Sequence, residues 1–287
     1  MLVRYRYVKV ENLSVFYRES GWDNRRVLLL MHGFPSSSRM YEPLLRRLGD
    51  EFHLIAPDYP GFGHSDAPDP REFSYTFDHI ADVMRGFVQA LGLGSYSLYL
   101  QDYGGPVGFR LALADSKRVQ SLIVQNAVAH EAGLGPLWET RRAFWRDRAA
   151  HQAAMEENLM PLSAARYRHV GTSPNAEFYD PDLWTDEYAF LLRPGQLSIQ
   201  SDLFYDYRNN VASYPAWQAW LRAHRPRLLI LWGQYDPSFM LSETQAYCAD
   251  VPDAEVNVLE AGHFALDEKA DEIARCVRAF FRRCPEQ

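Results

Sequence analysis

The chain has 287 residues, 47% of them hydrophobic and 14% aromatic, enough for one large core plus an insertion. Its 30 lysines and arginines stand against 37 acidic residues, a formal charge of −7 with no basic stripe, which excludes a nucleic-acid-binding surface. The apolar runs are strand-length, far short of a membrane span, and the N-terminus has no signal-peptide core, so a cytoplasmic protein with no membrane partner is expected.

In chain order, residues 5–19 alternate like an edge hairpin. Strands are expected near Val27, His53, Ser95 and Val119, separated by helices around 39–48, 77–91 and 106–114. Such alternation implies a mainly parallel sheet covered by helices on both faces. After Val124 the pattern changes. Residues 127–214 are rich in Trp, Tyr, Arg and helix formers and lack long Val/Leu/Ile runs, until strands return at Leu228 and over 256–259. This stretch reads as an inserted helical cap, placed to roof the strand ends where ligands bind in open α/β sheets. The expected organisation is a core of residues 1–126 and 215–287 with a cap of 127–214. Cys248, Cys276 and Cys284 are odd in number and lack zinc spacing, so free thiols are expected rather than disulfides or a metal site.

The run SYSLYLQDYGGPVGFRLALA, residues 95–114, reads as strand, sharp turn and helix with Asp102 at the tip. That is the local design of a nucleophile elbow, with a carboxylate where a serine usually stands. Asp102 could equally cap the helix N-terminus, so the context has to decide. An ionised aspartate is already a nucleophile at neutral pH and can form an alkyl ester by attacking a saturated carbon. Upstream, VLLLMHGFPSSS feeds a buried-type strand into a loop that offers an oxyanion-binding amide at Phe34, to pair with the amide of Tyr103. Downstream, RLLILWGQYDPSF delivers Asp236 and NVLEAGHFALDE delivers His263 from strand ends. The order Asp102, Asp236, His263 is nucleophile, acid, base, as expected when three consecutive strand ends supply the set. Ser65, followed by Pro68 and Pro70 where an elbow needs a helix, reads as structural.

These residues carry a resemblance to the α/β-hydrolase branch that contains epoxide hydrolases and haloalkane dehalogenases. HGFPSSS, DYPGFGHSD, QDYGGP, WGQYD and AGHF fall in that family's order between Met31 and Phe264. The resemblance implies the α/β-hydrolase fold, a small apolar electrophilic substrate, an epoxide or an alkyl halide, and no cofactor; a homodimer is left open. It maps the donor to an epoxide oxygen onto Tyr207, in a stretch similar to the family's Tyr-Arg-Asn cap motif. For a halide it implies Tyr103 with a cap tryptophan such as Trp138, Trp145 or Trp184. The first cap helix lacks the family's second tyrosine, leaving Tyr167, Tyr179, Tyr188 and Tyr205 as substitutes. Tyr103 stands where both families usually have Trp, and Gln101 matches some dehalogenases better than the His common in epoxide hydrolases. Fluoroacetate-type dehalogenases hold a carboxylate with arginines just after the nucleophile; here Tyr103 and Pro106 stand there, and Arg110, a full turn on, is expected to point elsewhere. The epoxide reading is favoured over the halide one. A catalytically silent ligand-binding protein on this fold is the remaining alternative, against which the intact set of three argues.

Overall fold

The computed structural model describes residues 1–283, so Cys284 lies outside the described residues. The chain runs β1 (Arg4–Val10), β2 (Leu13–Ser20), β3 (Val27–Met31), α1 (Glu42–Leu48), β4 (His53–Pro57), α2 (Phe77–Ala90), β5 (Tyr96–Gln101), α3 (Gly104–Ala114) and β6 (Val119–Gln125). Five inserted helices follow, α4 (Trp138–Arg146), α5 (Arg148–Leu159), α6 (Leu162–Val170), α7 (Asp182–Leu191) and α8 (Gln196–His224). The chain then returns through β7 (Arg227–Gly233), α9 (Ser242–Asp250), β8 (Glu255–Leu259) and α10 (Leu266–Arg282).

One eight-stranded sheet has the order β1-β2-β4-β3-β5-β6-β7-β8. β2 pairs antiparallel with β1 and β4, and every other pairing is parallel. The central strands are near-continuous apolar runs because both of their faces are covered. Alternate residues go to opposite faces. Leu29, Leu98, Leu122 and Ile230 pack with Phe77, Ile80, Met84 and Phe87 of α2. Leu28, Leu30, Ile123 and Leu229 pack instead with α1 and α10, through Leu44, Leu48, Ile273 and Val277. Truncating one such leucine to alanine costs ~2–5 kcal/mol. The strand order reverses at β3, so the loops after β3 and β5 open a crevice at the switch point, where ligands bind in such sheets.

The inserted helices are pinned to the core by side chains near Tyr207. The Asp206 carboxylate of α8 accepts from the free amide of Phe77 at the start of α2 (2.8 Å), and Asn210 accepts from Arg110 of α3 (2.8 Å). Arg110 also pairs with Asp78, so it faces α2 and α8, away from the crevice, as expected. The boundary expected between 214 and 215 falls inside the continuous α8, at Pro215. Beyond it Trp217 stacks on Phe109 of α3 at 5.1 Å, so one helix serves both the insertion and the core. Among the described residues no helix is long and apolar enough to cross a membrane.

Candidate active site

Asp102 stands between β5 and α3 with φ +46°, a left-handed backbone that costs a non-glycine residue on the order of 1–3 kcal/mol. The turn lifts its carboxylate toward the crevice while leaving the residue only 8% exposed. The loop after β3 crosses directly over it: a Cβ on Gly33 would fall 2.4 Å from Asp102 Cβ, so only glycine permits that approach. His32 holds this loop. Its Nε2 accepts from the Tyr59 amide and its Nδ1 donates to the Gly33 carbonyl, and burial keeps the ring neutral, with a pKa of about 4. The amides of Phe34 and Tyr103 donate to no other group among the described residues, which leaves both free for a developing oxyanion. Ser65 is structural, its hydroxyl donating to the Asp58 carbonyl and accepting from the Phe16 amide.

His263 Nε2 stands 3.4 Å from Asp102 Oδ2, and its Nδ1 donates to Asp236 Oδ2 at 2.7 Å. The other Asp236 oxygen accepts from the amides of Ser238 (2.7 Å) and Phe239 (3.1 Å). The β7 and β8 loops meet because Gly233 has no side chain; a Cβ there would lie 2.0 Å from the Gly262 carbonyl oxygen.

The three strand ends are not consecutive, contrary to the sequence expectation. β6 lies between β5 and β7, and its end carries Asn126, which sequence reasoning passed over. Asn126 donates to Asp236 Oδ2 (2.8 Å), exchanges hydrogen bonds with Gly233, and accepts the Asp102 amide on its carbonyl (3.2 Å). Its φ of +43° marks it as special backbone, in a conformation that asparagine tolerates better than most residues. The only trace in the sequence is an Asn directly after an apolar strand.

Burial opposes the charged form of His263, but the Asp236 and Asp102 carboxylates outweigh it and raise the pKa to about 9. Resting enzyme at neutral pH therefore holds an imidazolium between two carboxylates. Gln101 reaches the same nitrogen, its side-chain amide 2.9 Å from His263 Nε2. The atom at that nitrogen is the Gln101 –NH2, a donor, which suits Nε2 once the ring has given up its proton.

A cavity of about 20 Å³, room for one water, lies over Asp102 and His263. It is lined by Phe34, Tyr103, Phe204 and Phe239, and also by Trp138, Arg141, Ser238 and Arg168. Helices α4, α6 and α8 thus contribute its roof. The expected halide donors do not offer their N–H groups: Trp138 Nε1 donates to the Ser238 carbonyl and Trp145 Nε1 to the Phe204 carbonyl. Trp184 packs in a separate cluster with Ala165, Val170 and Tyr179.

The tyrosines are arranged differently. Tyr207 is buried against Trp138 (4.6 Å between ring centroids), Phe77 and Tyr103, with the Tyr214 hydroxyl beside its own; it stands behind Tyr103 and is not part of the cavity lining. The hydroxyl of Tyr103 is buried with no hydrogen-bond partner among the described residues, and Tyr103 itself lines the cavity. Burial first, and the nearby Asp102 charge second, push both phenols well above the ordinary tyrosine range, so both are neutral donors. Tyr167, Tyr179, Tyr188 and Tyr205 do not line this cavity. The phenol that does line it, Tyr103, comes from the elbow itself.

Helix α6 is fastened beside the site by His169, whose Nδ1 and Nε2 meet Asp267 (2.7 Å) and Glu187 (2.8 Å). Burial works against its charge, but the two carboxylates prevail and raise it to about 10. A raised histidine contributes stability that is complete below its unfolded pKa of about 6.5 and is lost as pH climbs through the folded value. The thermal midpoint is therefore expected to fall between about pH 6.5 and 10, and His169→Gln, already lacking this contribution, to show a lower midpoint and a flatter profile in that window. An unchanged slope in the variant contradicts the assignment.

A profile of the alpha/beta hydrolase fold matches residues 26–270. The chain is 36% identical over 287 residues to the uncharacterized hydrolase YNR064C of Saccharomyces cerevisiae, covering 98% of each. It is 26% identical over 246 residues to epoxide hydrolase 2 of Caenorhabditis elegans, covering 81% of this chain and 66% of that one. Among solved structures, the haloalkane dehalogenase DatA of Agrobacterium tumefaciens C58 superposes with a TM-score of 0.79 at 21% identity, covering 98% of this chain and 97% of that one, a likeness of fold.

Proposed function

The chain belongs to the alpha/beta hydrolase fold family, and on that premise we propose that it is an epoxide hydrolase, acting through an alkyl ester on Asp102 and releasing a vicinal diol. An Asp102 oxygen attacks an epoxide carbon, the ring C–O bond breaks, and the departing oxygen takes a proton from Tyr207 or Tyr103. His263, oriented by Asp236, then removes a proton from water as the water oxygen bonds to the ester carbonyl carbon of Asp102. The oxyanion rests on the Phe34 and Tyr103 amides until the acyl C–O bond breaks; the departing alkoxide takes the remaining water-derived proton from the tetrahedral carbon's hydroxyl and leaves as the diol, returning Asp102 to a carboxylate. The proton gained by His263 replaces the one given to the ring oxygen, so the sum is addition of water. Alkylation also removes the Asp102 charge that helps hold His263 protonated, which lowers the histidine pKa at the step that needs a free base.

The observation that carries this reading is the Tyr103 phenol, buried with no hydrogen-bond partner among the described residues in the lining of the cavity that holds Asp102, with Tyr207 packed behind it. Halide release through the same ester is weaker, because the Trp138 and Trp145 N–H groups are committed to backbone carbonyls. The helical insertion acts in this scheme as a cap that supplies Tyr207 and excludes water.

The test is an assay of the purified protein against epoxides, bromoalkanes and nitrophenyl esters, scored for diol, halide or phenolate. Tyr207→Phe and Tyr103→Phe are each expected to slow pre-steady-state alkylation by an epoxide by about 10²–10³, the usual loss when one transition-state donor is removed. Halide release without diol formation, or Phe variants that open epoxides at the wild-type rate, contradicts the proposal.

A further inference from the structure

Two cations lie over the Asp102 pocket without an ion pair of their own among the described residues. Arg141 of α4 and Arg168 of α6 both line the cavity over Asp102. Both also line an outer cleft of about 360 Å³ between α4, α5, α6 and the loop at Pro237, so they stand where the cleft narrows onto the site. The Nη1 atom of each is buried without a hydrogen-bond partner. Among the described residues Arg141 makes no hydrogen bond or ion pair, and only lies over the Trp138 ring at 4.2 Å and the Phe204 ring at 5.5 Å. Arg168 donates Nη2 to the carbonyls of Asn158 (3.3 Å) and Leu159 (3.1 Å) and lies 4.7 Å over the Phe34 ring. Among the described residues neither has a carboxylate within salt-bridge distance. Buried charges are normally paired, and guanidinium forks match carboxylates in particular.

Resting on the epoxide hydrolase reading, we propose that Arg141 and Arg168 receive a carboxylate of the substrate, so that the epoxide opened here is an oxirane bearing an acid group close to the attacked carbon. The apolar rings under the guanidiniums hold them in place and keep water off them, while the unpartnered Nη1 atoms supply the donors. Burial, and after it the neighbouring charge of Arg141, lower Arg168 to about 10, so it remains protonated at neutral pH but is repelled by its neighbour. A substrate carboxylate relieves that repulsion. It also resolves the electrostatic problem of bringing an anion to an anionic nucleophile. With His263 protonated, Asp102, Asp236 and the two guanidiniums leave one net positive charge on the site, which a single carboxylate neutralises. Neither arginine could be picked out by sequence, because they come from two inserted helices rather than from the turn after the nucleophile. A carboxylate on the substrate departs from the apolar electrophile that the resemblance implied.

Glycidate and glycidamide form the decisive pair, nearly equal in shape and differing in charge. Wild type is expected to turn glycidate to diol with kcat/KM at least ~30-fold above glycidamide at low salt, and Arg141→Met and Arg168→Met to bring that ratio down toward one. Arg168→Lys, which keeps the charge and loses the fork, should fall between. D-Glycerate should bind saturably and change the fluorescence of Trp138, directly beneath Arg141, with uncharged glycerol giving no such change. Equal use of the two probes by wild type overturns the carboxylate site and leaves epoxide hydrolysis standing. So does an equal loss toward both probes in the arginine variants, which would make the guanidiniums partners of the leaving oxygen. Saturable glycerate binding without diol from any epoxide would keep the anion site and remove the epoxide reading. The wild-type comparison and the glycerate titration hold even where a variant fails to fold.

Discussion

Asp102→Asn is expected to abolish turnover, a loss on the order of 10⁶ in kcat, the scale seen when a covalent nucleophile is removed. The substitution is nearly isosteric, and asparagine tolerates the left-handed backbone that Asp102 adopts at φ +46°. Thermal stability should therefore stay within ~1–2 kcal/mol of wild type, because the carboxylate faces the cavity rather than the packed core. Removing its charge also takes away one of the forces that raise His263, so the histidine should titrate below about 9 in the variant, measurable by NMR of the imidazole. Full activity in Asp102→Asn would eliminate the alkyl-ester mechanism.

His263→Gln should separate the two half-reactions. No proton needs to leave Asp102 before attack, so alkylation proceeds, whereas water is not activated and the ester persists. Intact-protein mass spectrometry of the variant mixed with substrate should show one covalent adduct, and peptide mapping should place it on Asp102. In wild type, a single turnover in heavy-oxygen water should label the Asp102 carboxylate, since water attacks the ester carbonyl and not the substrate carbon. The pH profile follows from the same geometry. Ester hydrolysis needs neutral His263, so its rate should rise with pH, with a midpoint below about 9 because the alkylated Asp102 no longer carries its charge. A variant that consumes substrate stoichiometrically yet never yields an adduct, or label in the diol alone, rules out the two-step scheme.

The three residues proposed for this chemistry were legible in the sequence because each is announced locally. Asp102, Asp236 and His263 each follow an apolar strand and sit by glycines, and a strand running into a tight turn is a short-range pattern that survives without knowledge of what packs against it. Phe34 and Tyr103 follow from the same turns. Trp138 and Trp145 show the opposite case. Their suitability as donors depended on where two indole N–H groups found acceptors, and those acceptors, the carbonyls of Ser238 and Phe204, are 100 and 59 residues away.

By itself, then, the sequence determined the alternation of strands and helices, the parallel sheet, the inserted helical segment and the strand-end positions of the reactive groups. These depend on periodicity, on turn chemistry and on the burial that continuous apolar strands demand. Only the tertiary structure decided that β6 brings Asn126 to Asp236, that the Tyr103 phenol lines the cavity, and that Arg141 and Arg168, unpaired among the described residues, converge over Asp102. Where a side chain on an inserted helix ends up depends on how that helix docks. Docking here rests on distant contacts, such as Asp206 on the amide of Phe77 and His169 between Asp267 and Glu187, which no local pattern encodes.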